Sequence, residues 1–174
     1  VSQNYFAVRP EDGRMDAGRG LLLKGDGKGG FSTVPGQASG IRIYGEQRGC
    51  AVADYDGDGR TDLVVTQNRE ETKLFHNATG KPGLRVRLAG PPGNPDGVGA
   101  SIRLEYGKRS GSAREVQAGA GFWSQSSSVL VLGCPEPPTG IQVRWVGGKT
   151  VRGDLPAGAH EVQVSPDGAV AVRR

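Results

Sequence analysis

The amino-acid sequence predicts an all-β chain, and three observations carry that expectation. Apolar and polar residues alternate in short runs, clearest in Ala100-Ser101-Ile102-Arg103-Leu104-Glu105-Tyr106 and Ile141-Gln142-Val143-Arg144-Trp145. Strict alternation is the signature of a strand with one buried face. Thirty glycines and eleven prolines punctuate the 174 residues. That is too many for a helical bundle, since each mid-helix glycine costs about 1 kcal/mol against alanine. Finally, no segment of the first half carries a helical period, and the second half offers short strands at roughly ten-residue spacing. That spacing suggests an antiparallel sandwich or barrel.

Taken in order, the first regular pattern is Gly20-Leu21-Leu22-Leu23-Lys24, then Gly25-Asp26-Gly27-Lys28-Gly29-Gly30, then Phe31-Ser32-Thr33-Val34. Strand, glycine-rich turn and strand make a hairpin. Cys50–Asp54, Leu63–Thr66 and Lys73–His76 follow as strands. Asn77-Ala78-Thr79-Gly80-Lys81-Pro82-Gly83 has loop composition and is the best boundary, dividing the chain into 1–79 and 80–174. Beyond it, strands are expected at Leu84–Leu88, Ala100–Tyr106, Arg114–Ala118, Val129–Leu132, Ile141–Val146, Val151–Leu155, Glu161–Val164 and Ala169–Val172. Pro91-Pro92-Gly93-Asn94-Pro95-Asp96-Gly97 is too turn-rich to be an element.

The net charge is +4, from 22 basic and 18 acidic residues, but the basic residues are scattered singly. In Leu84-Arg85-Val86-Arg87-Leu88 the arginines alternate with apolar neighbours, which places them on the solvent face of a strand. A solvated sheet face therefore explains the charge, and no nucleic-acid partner is expected. No run of 18 apolar residues exists, so no membrane-spanning helix is expected. The chain begins at Val1 and its one methionine is Met15; the expectation is a piece of a longer protein. Two cysteines, Cys50 and Cys134, are too few for a disulfide framework. They either pair, worth about 4 kcal/mol in the chain-entropy model, or remain two small thiols.

One motif is chemically specific. Asp54-Tyr55-Asp56-Gly57-Asp58-Gly59-Arg60-Thr61-Asp62 sets carboxylates at positions 1, 3, 5 and 9 of a nine-residue loop. Calcium takes six to eight hard oxygens. Asp54, Asp56, Asp58 and Asp62 supply side-chain oxygens, the Arg60 carbonyl supplies another, and Gly59 lets the backbone turn with positive φ. Four carboxylates so close repel one another without a cation. Magnesium demands stricter octahedral geometry and keeps its waters; zinc wants His or Cys, which the loop lacks. A helical calcium loop would need a glutamate at position 12, where this sequence has Val65 between strand-like flanks.

With strands on both sides, this loop resembles the FG-GAP (VCBS-type) repeat, which builds the blades of integrin-α-like β-propellers. The Leu21–Phe31 hairpin looks like the opening of such a repeat. Residues 80–160 resemble the ASPIC/UnbV domain, through Gly99-Ala100-Ser101-Ile102, Ala118-Gly119-Ala120-Gly121-Phe122-Trp123-Ser124-Gln125-Ser126 and Val143-Arg144-Trp145-Val146-Gly147-Gly148-Lys149. The order of the two is that of bacterial homologues of the cartilage acidic protein family. Two stretches depart from the domain's usual pattern and read as packing changes. They are Val129-Leu130-Val131-Leu132-Gly133-Cys134 and Trp145-Val146-Gly147-Gly148.

The resemblance implies a partial β-propeller-type repeat followed by an antiparallel β-sandwich-like domain. The repeat's calcium ligands fall on Asp54, Asp56, Asp58, Asp62 and the Arg60 carbonyl. Because a propeller needs several blades, the resemblance also implies the C-terminal part of a larger extracellular, periplasmic or cell-surface protein, with the rest of the parent propeller upstream. The expected function is a calcium-stabilised binding or adhesion module without catalysis, its partner an unknown protein or glycan. Two alternatives stand beside it. One is an accessory protein or enzyme of secondary metabolism, for which no catalytic residues are visible. The other is a carbohydrate-binding module using Trp123 and Phe122, although packing that fixes a glycine-rich bend also accounts for Phe122, Trp123 and Gln125. Asn77-Ala78-Thr79 fits a glycosylation sequon.

Overall fold

The computed structural model describes residue 11 and residues 18–173. The opening of the 1–79 segment, with Met15, lies outside the described residues. The chain forms two compact units, and each draws on separated stretches of sequence. One holds the described residues up to Ala51 together with Leu63–His76 and Gly121–Ser124; the other holds Val52–Asp62, Asn77–Ala120 and the chain from Gln125 onward.

In the first unit, β1 (Leu22–Gly25) and β2 (Phe31–Val34) pair antiparallel, from Leu22 opposite Val34 to Gly25 opposite Phe31. Asp26 shapes the turn: its Oδ1 accepts the N–H groups of Lys28 at 2.7 Å and Gly30 at 2.9 Å. A one-turn helix, α1 (Gly36–Ser39), follows Pro35 and ends at Gly40 with φ +75°. It was not expected, because four residues are too few to show a period. β3 (Gln47–Ala53), β4 (Asp62–Gln67) and β5 (Lys73–Phe75) form a three-stranded sheet in that order. Val65, Ile43 and Gln47 are buried in this unit, whereas all of β1 is exposed.

The second unit is a sandwich-like pair of sheets. Its strands are β6 (Leu84–Leu88), β7 (Ser101–Tyr106), β8 (Arg109–Ser110), β9 (Arg114–Glu115), β10 (Leu130–Leu132), β11 (Gly140–Arg144), β12 (Thr150–Asp154), β13 (Glu161–Val164) and β14 (Val170–Arg173). One sheet runs β10-β6-β13-β14; the other runs β12-β11-β7-β8, with β9 also paired to β7. Alternate residues of four strands meet in one core: Leu84, Val86 and Leu88, then Ile102 and Leu104, then Ile141 and Val143, then Val162 and Val164. Each such side chain contributes roughly 1.5–3 kcal/mol on burial, so the alternation read from the sequence is the main source of this unit's stability.

The all-β class holds, with mostly antiparallel pairing. One pair differs: β13 runs parallel to β6, Val162 opposite Val86. A parallel pair needs a long crossover, and the chain from β7 to β12 supplies it. The Pro91–Gly97 stretch is a turn, braced by Asn94, whose side chain accepts from the Val98 N–H at 2.8 Å and donates to the Val98 carbonyl at 2.9 Å. Cys50 and Cys134 are free thiols.

Candidate metal centre

The aspartate loop joins the end of β3 to the start of β4. Gly57 and Gly59 take φ +81° and +82°, the left-handed conformation that winds it. A side chain at Gly59 would meet Pro82 Cβ at 3.1 Å and the Gly83 carbonyl at 3.2 Å, so glycine is required there on two counts. Asp54 organises the turn from within. Its Oδ1 accepts the N–H groups of Gly57 (2.8 Å) and Asp58 (3.1 Å), and its Oδ2 accepts that of Gly59 (2.8 Å).

Asp62, only 2% exposed, closes the loop. It accepts the Tyr55 N–H at 3.3 Å and the Asn77 N–H at 2.8 Å. Asp56 accepts the Asp58 N–H at 3.3 Å. Asp58 accepts the Arg60 N–H at 2.8 Å and pairs with the Arg60 guanidinium at 2.5 Å. One carboxylate oxygen each from Asp54, Asp56 and Asp62 lies within 4.8 Å of the other two. Two oxygens bound to the same calcium at 2.3–2.6 Å stand at most about 5 Å apart. The donors of this group of three are all hard oxygens. The four aspartates outnumber the two arginines paired with them, Arg60 and Arg85, and Arg85 is shared with Glu161, so an excess of negative charge remains that suits a cation. The residues present therefore fit calcium.

Two residues whose side chains support this loop, Asn77 and Arg85, were not expected from the sequence to do so. Asn77, read there only as part of a sequon, donates its backbone N–H to Asp62 and its side-chain amide to the Thr61 carbonyl at 3.3 Å, and accepts the Gly80 N–H at 2.9 Å. Arg85, expected on the solvent face, has a side chain only 15% exposed. Its Nη1 donates to Asp54 Oδ2, and its Nε donates to Glu161 Oε2 at 2.7 Å. Alternation correctly put Arg85 opposite Val86, but that face of β6 is covered where the aspartate loop meets it. Nothing in the local pattern reveals such cover. The Gly59 carbonyl also accepts the Gly83 N–H at 2.8 Å, and Arg60 Nε donates to the Gly80 carbonyl at 2.7 Å.

The electrostatics follow from these contacts. Burial pushes the Asp54 carboxyl up, but the Arg85 hydrogen bond and charge, with the N–H groups of Gly59 and Gly57, outweigh it and hold the group below the usual range. Burial likewise pulls the Arg85 guanidinium down, and its bonds to Glu161 and Asp54 carry it above its ordinary value.

The aromatic pair behaves differently from the packing role expected of it. Trp123 is 90% exposed and sits at φ +49°, an uncommon conformation for a bulky residue. Phe122 is also exposed, its ring centroid 5.8 Å from that of Trp123. Gln125 does fix a bend, donating to the carbonyls of Gln117 and Ser126 at 2.9 Å each.

A β-sandwich-like domain preceded by an aspartate-loop hairpin defines a class, and comparison with known families agrees. The FG-GAP repeat matches residues 49–73, and the ASPIC and UnbV family matches residues 90–171. The aspartate loop thus lies inside the stretch that matches the FG-GAP repeat, ahead of the stretch that matches the ASPIC and UnbV family. Among characterised proteins it is similar to cartilage acidic protein 1 of Xenopus tropicalis. The two are 31% identical over 121 residues, which cover 66% of this chain and 18% of that relative. The chain therefore spans less than a fifth of the relative's length. No helix among the described residues is long and apolar enough to cross a membrane.

Proposed function

We propose that the chain is a calcium-stabilised, non-catalytic binding or adhesion module of an extracellular, periplasmic or cell-surface protein. Calcium has a structural role in this reading: it pins the hairpin between β3 and β4. The observation that carries it is the convergence of the Asp54, Asp56 and Asp62 carboxylates within 4.8 Å, in a segment matching the FG-GAP repeat. Asp58 and the Arg60 carbonyl complete the proposed shell, and the rest of a parent propeller is proposed upstream. The division of the chain at residues 79 and 80 is kept as part of this proposal.

The test is thermal unfolding of the chain in calcium and in EGTA. Calcium is expected to raise the melting temperature of the wild type and to leave Asp56→Ala unchanged. Identical wild-type curves in the two buffers contradict the reading. A second reading, glycan binding, is favoured by one observation: Trp123 and Phe122 present their rings to solvent side by side. Aromatic faces suit the apolar surface of a sugar ring. A glycan array with wild type and Trp123→Ala decides it, binding lost in the variant supporting the reading and no binding by either protein ending it.

A further inference from the structure

Asp54, Arg85 and Glu161 form a line of three charges from the aspartate loop into the sheet of β6 and β13. Arg85 is shared: its Nη1 holds Asp54 and its Nε holds Glu161 at 2.7 Å. The Asp54 side chain is only 2% exposed, against 15% for Arg85 and 21% for Glu161. Water therefore screens the contact at Asp54 poorly, and a change in the position or charge of Arg85 is felt there strongly. The planar fork of arginine is what allows one side chain to serve two carboxylates.

We propose that Arg85 and Glu161 set the calcium affinity of the Asp54–Asp62 loop from outside it. Arg85 is the positioning residue on Asp54, and Glu161 is the group that holds Arg85. The proposal rests on the calcium reading above. A cation on the loop draws on the negative charge of Asp54, which Arg85 already shares. Glu161 takes up part of the Arg85 charge and so leaves Asp54 more available. With Glu161 neutralised, Arg85 falls wholly to Asp54 and opposes calcium there. This effect passes through Arg85 and vanishes when the guanidinium is removed. Simple attraction between Glu161 and calcium across space would instead act whether or not Arg85 is present.

The experiment is a double-mutant cycle on calcium affinity, measured by isothermal titration of calcium chloride into the full chain. The proteins are wild type, Glu161→Gln, Arg85→Met and the double variant, each shown to be folded by circular dichroism without calcium. Glu161→Gln is expected to weaken calcium about fivefold, while the same change in the Arg85→Met background alters affinity by less than about twofold. An equal loss in both backgrounds, or no loss in the wild-type background, overturns the proposal and leaves the calcium reading standing. Absence of calcium binding by the wild type overturns both. Should Arg85→Met fail to fold, Arg85→Gln takes its place with the same expectation, because a neutral amide carries no positive charge for Glu161 to draw away from Asp54.

Discussion

Gly59 and Gly57 share a backbone conformation but not a setting. Both have positive φ, yet only Gly59 has atoms where a Cβ would go; Gly57 has nothing within 4 Å. Gly57→Ala therefore meets backbone strain alone, about 1–2 kcal/mol. Gly59→Ala adds a clash with Pro82 and Gly83, and the expected outcome is a larger loss than at Gly57. Urea denaturation of the two variants measures the difference, and equal losses would contradict the packing described here. A second residue-scale prediction concerns pH. The Ser165 hydroxyl, then the Ala169 N–H, hold the Asp167 carboxyl below its usual range in the turn between β13 and β14. A lowered carboxyl stabilises the fold at pH above its ordinary value, and the gain fades as pH falls through the folded-state value. Ser165→Ala is expected to reduce stability at neutral pH and to flatten its acid dependence, as followed by melts between neutral and acid pH. The carboxylates of the loop were legible in the sequence because their spacing is local. Arg85 and Glu161 were not, because their partners come from distant parts of the chain.

At the scale of elements, the strands were legible wherever alternation ran for four or more residues. β6, β7, β11 and β13 lie where the pattern put them, within a residue or two at their ends. β8, of two residues, and the one-turn α1 are too short to carry a period, while β9 (Arg114–Glu115) is a shortened form of the strand expected at Arg114–Ala118. The parallel pairing of β13 with β6 was illegible for another reason: alternation fixes which face of a strand is buried, not which neighbour it takes. The two hairpin strands β1 and β2 follow the sequence too, yet they bury little. Substitutions should expose this contrast. Ile102→Ala, at a site with no exposure, is expected to cost about 2–5 kcal/mol. Phe31→Ser, at 72% exposure, should change stability by less than about 0.5 kcal/mol. Denaturant melts of both variants check the pair, and a large loss at Phe31 would mean that the hairpin is covered in solution.

Across the whole molecule, thirty glycines speak against a helical bundle. The fold uses many of them at fixed places, in the aspartate loop and in turns between short strands. The core is correspondingly made of branched aliphatic side chains between two sheets, with Trp145 as its one large aromatic member among the buried residues. The scattered basic residues are consistent with a solvated sheet surface in most cases, and Arg85 is the exception that gives the loop its charge balance. An excess of negative charge among converging oxygens is what makes this loop a calcium site in the proposed reading. Isothermal titration of calcium into the wild-type chain tests it most directly. One calcium is expected to bind per chain, with the heat abolished in Asp56→Ala; a wild-type titration indistinguishable from dilution would contradict the calcium reading.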